Sequence, residues 1–228
     1  MKFNPFKELN KFEKYLWFIS VSSILISYLC FGGSDYLTLT ASLIGVTALI
    51  FVAKGFVIGQ VLTVVFSVFY GIISYFFSYY GEMITYLGMT TPIAIMAIIS
   101  WMHHPYKGTR EVAVHKVSKR QLIAMILLSL ITTIIFYFIL KTIGNANLFV
   151  STISVTTSFI ASYLTFLRSP YYALGYAAND IILIILWILA TIEDFSYFPM
   201  IICFILFLIN DLYGFYNWIK MEKRQNNT

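Results

Sequence analysis

Eight hydrophobic stretches separated by short polar segments make up most of this chain. They are Tyr15–Phe31, Leu37–Ala53, Phe56–Phe77, Met83–Trp101, Leu122–Leu140, Leu148–Leu167, Tyr171–Ala190 and Phe198–Ile219. Most of them approach the roughly 20 residues that a helix needs to cross the hydrocarbon core of a bilayer. The pattern predicts an all-α integral membrane protein with eight transmembrane helices. The second stretch is short and rich in Thr and Ser, so we expect it to face other helices more than lipid.

The first stretch follows a basic segment, Met1–Lys14, as the hydrophobic part of a signal peptide would. No small-residue cleavage site follows this stretch. The next residues are Gly32, Gly33, Ser34 and Asp35. We therefore expect the stretch to be retained as the first membrane span.

The charged residues of the connecting segments predict the orientation of the chain. With a cytoplasmic N-terminus, fourteen of the fifteen Lys and Arg residues lie on the cytoplasmic side, and only Lys141 lies outside. The acidic residues Asp35, Glu82, Glu193 and Asp194 then fall in outside loops. Because cytoplasmic loops of membrane proteins carry an excess of Lys and Arg, we expect both termini to be cytoplasmic.

Composition supports this interpretation. Hydrophobic residues make up 60% of the chain and charged residues 11%, whereas soluble domains have roughly 45–50% and about 25%. The formal charge of +5 could indicate nucleic acid, but the basic residues are spread over short loops, so we expect no nucleic-acid partner.

Neither a metal site, a cofactor nor a catalytic centre is indicated by the sequence. Cys30 and Cys203 lie in apolar stretches and suit packing, while His103, His104 and His115 suit a loop. There is no nucleophile-elbow motif, no zinc-protease motif and no phosphate-binding glycine loop. We expect that the chain is not an enzyme and that it needs no cofactor.

Two groups of three helices repeat one order of landmarks. Lys54 and Arg168 follow the first helix of each group, an acidic turn follows the second, and Trp101 and Trp218 lie near the end of the third. Because the fifth stretch lies between the groups, each landmark falls on the same side of the membrane in both. The pattern predicts a 3+1+3 bundle of parallel repeats, a transporter architecture with the substrate site between the halves.

The repeat divides the chain into five expected segments. These are 1–36 for the N-terminal tail and the appended first helix, 37–101 for the first repeat, 102–147 for a cytoplasmic loop and linker helix, 148–219 for the second repeat, and 220–228 for a cytoplasmic tail.

The last two hydrophobic stretches each contain an Asn-Asp pair, Asn179-Asp180 and Asn210-Asp211. An Asp at the centre of a membrane helix costs about 2.5–3.5 kcal/mol on insertion scales, so both pairs are expected to face a polar interior. Both asparagines lie at roughly 15 Å depth, near the midplane of the bilayer. Asn offers donors and an acceptor, and Asp accepts from hydroxyls, as a substrate with ribose or amide groups requires. The alternative is that the pairs only hydrogen-bond helix to helix.

Further candidates surround these pairs. Gln60 and Thr63 are polar residues of the third stretch, and flat rings require aromatic walls, which a cationic ring favours further. The aromatic candidates are Tyr70, Tyr176, Trp187, Tyr213 and Trp218, and Asn217 precedes the last of them. For Trp187 and Trp218 a position in the membrane interface is the alternative.

Three blocks of this sequence resemble the PnuC family of bacterial vitamin transporters. They are Gly59–Glu82 with Trp101, Tyr171–Asp180, and the run Asn210–Trp218, which is the most specific. The resemblance covers about Leu37 to Trp218 and leaves the first span outside. The family often has a Trp at positions that are Gly59 and either Tyr171 or Tyr172 in this chain.

The resemblance implies a SWEET-like 3+1+3 fold in the bacterial cytoplasmic membrane. It implies uptake of an unphosphorylated vitamin precursor, usually nicotinamide riboside, by facilitated diffusion with alternating access and trapping by a cytosolic kinase. Thiamine, riboflavin and deoxynucleosides are alternative substrates. The midplane Asp residues leave proton-coupled symport open, and a membrane-embedded enzyme or a substrate-capture subunit are rival classes. The oligomeric state is open, with a homotrimer as one option.

Overall fold

In the computed structural model, the described residues are 4–31, 35–76, 79–145 and 147–227. They contain eight helices that are long and apolar enough to cross a membrane, as predicted. The helices are α1 (Lys11–Phe31), α2 (Tyr36–Ala53), α3 (Val57–Phe76), α4 (Tyr80–His103), α5 (Lys119–Thr142), α6 (Leu148–Phe166), α7 (Tyr172–Glu193) and α8 (Phe198–Asn226). Gly32, Gly33, Ser34 and Phe77, which entered the sequence predictions, lie outside the described residues.

Six helices form a closed ring in which each helix packs against two neighbours. The order around the ring is α2, α3, α4, α6, α7, α8 and back to α2. Each repeat contributes three consecutive members, α5 packs outside on α6, and α1 packs outside on α2 and α8. The predicted 3+1+3 arrangement with an appended first helix is confirmed.

The helices differ in how much of their surface the bundle covers. In α2, 56% of the hydrophobic span is buried, the largest share of the eight, whereas α5 has only 11% buried. The prediction that the Thr- and Ser-rich second helix faces other helices is therefore confirmed. The linker helix α5 lies at the periphery.

The two repeats hold each other at one end of the bundle through equivalent tryptophans. The Trp101 indole N–H of α4 donates to the Thr165 carbonyl of α6 at 3.0 Å. The Trp218 indole N–H of α8 donates to the Val52 carbonyl of α2 at 2.9 Å. Each final helix thus bonds to the first helix of the other repeat. We call this end, where Lys54 lies between α2 and α3, the basic end.

Helix α1 is fixed to the ring by a buried carboxylate. The Glu13 side chain is fully buried and forms an ion pair with Lys54, with Nζ and Oε1 3.3 Å apart. The Tyr213 hydroxyl of α8 donates to the same carboxylate oxygen at 2.7 Å. One acidic side chain of α1 therefore bonds to a residue that follows α2 and to a residue of α8.

Helix α4 contains a π-helical turn over Thr85–Thr90. The Thr91 backbone N–H bonds the Tyr86 carbonyl, five residues earlier. The next residue, Pro92, has no N–H, and its ring disfavours a regular α-helical turn before it. The wider turn lies where Tyr86 and Thr90 face the interior, and such turns are frequent at functional sites.

We expect Gly175→Ala to lower stability, because α6 and α7 approach closely at this residue. A Cβ atom at position 175 would lie 2.8 Å from the Ala161 Cα. Forcing a methyl group against backbone costs about 1–3 kcal/mol. Thermal unfolding in detergent should show a lower midpoint for this variant. Gly88→Ala is the control, since its Cβ would meet nothing closer than 3.9 Å, and equal midpoints for the two variants would contradict the prediction.

Candidate functional site

A cavity of about 50 Å³ lies at the centre of the ring. Its walls come from α2, α3, α4, α7 and α8. Helix α2 contributes only small and apolar side chains, which leaves room for the polar groups opposite. The polar and aromatic residues that line it are Gln60, Thr63, Phe66, Tyr86, Thr90, Tyr172, Tyr176, Asn179, Asp180, Phe207 and Asp211.

Six residues that the sequence singled out meet at this cavity. They are Gln60, Thr63, Tyr176, Asn179, Asp180 and Asp211. Within the described part of the chain, no Lys, Arg or His lines the cavity. The side chains of Gln60, Asn179, Asp180 and Asp211 are all nearly inaccessible to bulk solvent. The cavity therefore combines hydrogen-bonding groups and carboxyl groups with no basic side chain.

Asn179 is held in one orientation by hydroxyl groups of α6. Its Oδ1 accepts from Ser154 at 3.2 Å, Thr157 at 2.9 Å and Ser158 at 3.0 Å. Because these hydroxyls occupy the oxygen, the side-chain NH₂ group is the part left for a ligand. Asn179 therefore offers donors to the cavity and no free acceptor.

Asp180 and Asp211 bring two carboxyl groups together across the interface of α7 and α8. The groups lie within hydrogen-bonding range of each other. Among the described residues, Asp180 Oδ2 has no hydrogen-bond partner although it is buried. Gln60 on the facing helix α3 lines the same cavity. These groups are available to a molecule in the cavity.

Of the neighbouring residues Tyr171 and Tyr172, only Tyr172 faces the inside of the ring. It is 1% exposed and lines the cavity, whereas the neighbouring Tyr171 is 55% exposed. The Tyr172 ring packs edge-on against Tyr176, with centroids 6.2 Å apart. The two rings form an aromatic wall next to the acidic pair.

At the basic end, Trp218 and Asn217 lie beyond the cavity instead of lining it. The rings of Trp218 and Trp101 lie 5.4 Å apart, and Tyr172 packs on Trp218 at 5.0 Å. Asn217 donates from Nδ2 to the Ala53 carbonyl at 2.7 Å. These contacts form a layer that closes the ring between the cavity and the basic end.

Tyr70 and Trp187 form a second layer on the opposite side of the cavity. The Trp187 indole N–H donates to the Tyr70 hydroxyl at 3.0 Å. The Tyr70 ring packs on Tyr86 at 4.5 Å, and Trp187 packs on Tyr79 at 5.5 Å. These two candidates close the ring and do not line the cavity.

Asn210 and Tyr213 face α1 instead of the cavity. Asn210 donates from Nδ2 to Ser20 Oγ at 3.1 Å and to the Leu206 carbonyl at 2.8 Å. Tyr213 bonds to Glu13 of α1. For Asn210 the geometry supports the alternative in which the amide joins helix to helix.

Sequence reasoning did not single out four lining residues, Phe66, Tyr86, Thr90 and Phe207. Tyr86 and Thr90 belong to the π-helical turn, and Pro92 after a pair of threonines was the available signal. Phe66 and Phe207 lie in apolar helices, so nothing in the sequence distinguishes them from the other apolar residues there. In the described part of the chain, no group of three His, Cys, Asp or Glu residues could hold a metal.

A central cavity lined by buried polar and aromatic side chains, in a 3+1+3 ring of apolar helices, defines this protein as a multi-pass membrane transporter. The match to known families agrees, because residues 35–220 match the model described as nicotinamide mononucleotide transporter. The chain belongs to this family, and the predicted resemblance to the PnuC transporters is confirmed. The matched range leaves out α1, as the resemblance predicted.

Individual relatives carry the name nicotinamide riboside transporter PnuC. The protein from Neisseria mucosa is 26% identical over 217 residues, which covers 92% of this chain and 82% of the relative. The protein from Haemophilus influenzae is 23% identical over 194 residues, covering 84% and 83%. A crystal structure of the vitamin B3 transporter PnuC is similar in fold, with a TM-score of 0.83, 24% identity and coverage of 95% and 94%.

Proposed function

We propose that this transporter takes up nicotinamide riboside, an unphosphorylated vitamin precursor, by facilitated diffusion. The observation that carries the proposal is the composition of the central cavity. The Asn179 NH₂ group and Gln60 can bond a carboxamide or ribose, and the Asp180–Asp211 pair can accept from ribose hydroxyls. Tyr172 and its aromatic neighbours can pack against a flat ring. The names of the Neisseria and Haemophilus relatives support this substrate.

The family description names the mononucleotide, but the cavity favours the riboside. A phosphate group in the ring would have no Lys or Arg partner among the described lining residues. It would also lie close to the Asp180 and Asp211 carboxyl groups, and burying an unpaired charge is costly. The riboside lacks this group. A cytosolic kinase that phosphorylates the imported riboside would then retain it, because the product no longer fits.

Transport through this ring requires alternating access. Aromatic layers lie on both sides of the cavity, Trp101 with Trp218 on one side and Tyr70 with Trp187 on the other. The cavity volume of about 50 Å³ is below the roughly 300–1,000 Å³ of ordinary ligand pockets. We infer that the ring widens around the substrate and that the two layers separate in turn.

The basic end is proposed to face the bacterial cytoplasm. It carries the Lys54 and Arg168 turns and the basic loop between α4 and α5, whereas Glu193 and Asp194 lie at the opposite end. Cytoplasmic segments of membrane proteins carry the excess of basic residues. Both termini would therefore be cytoplasmic.

We expect purified protein in liposomes to take up nicotinamide riboside down its gradient without ATP or an ion gradient. Radiolabelled riboside inside the vesicles is the measurement. Nicotinamide mononucleotide, thiamine and riboflavin serve as competitors, and the mononucleotide should compete least because its phosphate is unpaired. Uptake only with an imposed proton gradient would support the symporter instead. Equal competition by the mononucleotide would contradict the proposed basis of selectivity.

The orientation predicts which exposed residues thiol reagents reach from outside. In a Cys30→Ser background, Asp194→Cys should react with an impermeant maleimide on intact cells, while Arg110→Cys should react only after the membrane is opened. Asp194 and Arg110 lie at opposite ends of the bundle, and each lies outside the helices. The reverse labelling pattern would show that the basic end faces outward.

We expect Asn179 to bind the substrate and Asn210 to hold α8 against α1. Asn179→Ala removes the donor in the cavity, so nicotinamide riboside affinity should fall by about 5- to 150-fold, as expected for a loss of about 1–3 kcal/mol. Asn210→Ala is the matched control, and it should lower the unfolding midpoint with near-normal affinity, because Asn210 bonds to Ser20 of α1. Isothermal titration and thermal unfolding of monodisperse protein measure both. Equal loss of affinity in the two variants would be inconsistent with this assignment.

A further inference from the structure

We propose that the Asp180–Asp211 pair makes the cavity selective for substrates whose ring carries a positive charge. This inference rests on the proposed function and deepens it. It assigns the pair an electrostatic role in addition to accepting ribose hydroxyls. A pair that only accepted hydroxyl donors would bind neutral and cationic rings of the same shape equally well.

Two carboxyl groups within hydrogen-bonding range share a proton, so the pair carries one negative charge at most, and no cationic side chain lies beside it among the described lining residues. The two carboxyl groups lie within hydrogen-bonding range of each other, and Asp180 Oδ2 has no partner among the described residues. Asp180 is 4% exposed and Asp211 is 3% exposed. Tyr86, Tyr172 and Tyr176 line the cavity together with the pair, and none of these side chains is cationic.

A count of buried charges in the described part of the chain gives the same result. The buried carboxyl side chains are Glu13, Glu82, Asp180 and Asp211, and no Lys, Arg or His is buried there. Of these four, Glu13 has an ion pair, with Lys54. Glu82, which the sequence placed in an outside loop, is instead buried in the first turn of α4 and does not line the cavity. A cation in the cavity would therefore interact favourably with the negative charge that Asp180 and Asp211 share, with no competing cationic side chain buried in the described part of the chain.

The walls of the cavity suit a cationic ring as well. Phe66, Tyr172 and Tyr176 place aromatic rings around the pair. The face of an aromatic ring attracts a cation, and this attraction is stronger away from water. A pyridinium ring between these walls would gain from the carboxyl groups and from the aromatic faces together.

Nicotinamide riboside and its dihydro form test the inference. The two share the ribose and the carboxamide, but the dihydropyridine ring is neutral. We expect wild-type protein to bind the cationic form at least about 10-fold more tightly, because Coulomb attraction is strong in a partly desolvated site. The double variant Asp180→Asn/Asp211→Asn should reduce this ratio to within about 3-fold, since Asn keeps the size of Asp and removes its charge, whereas either single variant leaves one carboxyl group that can ionise. Isothermal titration gives the ratio.

Glu82→Gln is the matched control, because it removes a buried carboxyl group that does not line the cavity. It should keep the wild-type ratio within about 2-fold, since its carboxyl group lies farther from the ligand. Equal binding of the two ligands by wild type overturns the inference while the proposed function stands, and this comparison needs no variant to fold. An unchanged ratio in the folded double variant, or an equal fall in Glu82→Gln, also overturns it. Failure of folded wild type to bind either ligand would instead reject the proposed function.

Discussion

The structure depends on one constraint, which is that polar groups inside a membrane protein must find partners within the protein. Most hydroxyl groups meet it locally. Ser42 donates to the Thr38 carbonyl one turn earlier, and Thr165 does the same with Ala161. Asn179 meets it by accepting from three hydroxyls of α6. Among the described residues, Asp180 and Thr90 each have a buried side-chain oxygen without a partner and line the central cavity, where a bound substrate can supply the missing hydrogen bonds.

The number, bounds and order of the helices could be predicted because each depends on a local property of the sequence. A stretch of apolar residues sets a membrane helix, and the landmarks Lys54, Arg168, Trp101 and Trp218 set the repeat. The way in which α1 attaches to the ring could not be predicted from the sequence. Glu13 reads as one charge in a basic tail, and only the packed structure shows it bonded to Lys54 and Tyr213.

The sequence predicted how deep in the membrane each candidate residue lies, but not the direction in which its side chain points. Residue counting places Asn210 and Asp211 at one level of the membrane, yet adjacent helical residues point about 100° apart. Asp211 therefore faces the cavity and Asn210 faces Ser20 of α1. Trp218 lies seven residues after Asp211 on nearly the same face, but about 10 Å further along the helix, in the closing layer. Which face of α8 points inward is decided by contacts between distant parts of the chain.

The attachment of α1 makes the two repeats unequal partners although their folds correspond. The ring has two boundaries between repeats, one where α2 meets α8 and one where α4 meets α6. Helix α1 bonds across the first boundary through Glu13, while the second contains the π-helical turn of α4. The second boundary has direct hydrogen bonds, such as the one from Trp101 to Thr165, but no additional helix bonded across it, so the first boundary is the more strongly held of the two. Only one of the two boundaries between the similar halves is thus reinforced by a further helix. Relative rotation of the halves would therefore be largest at the boundary of α4 and α6, opposite α1.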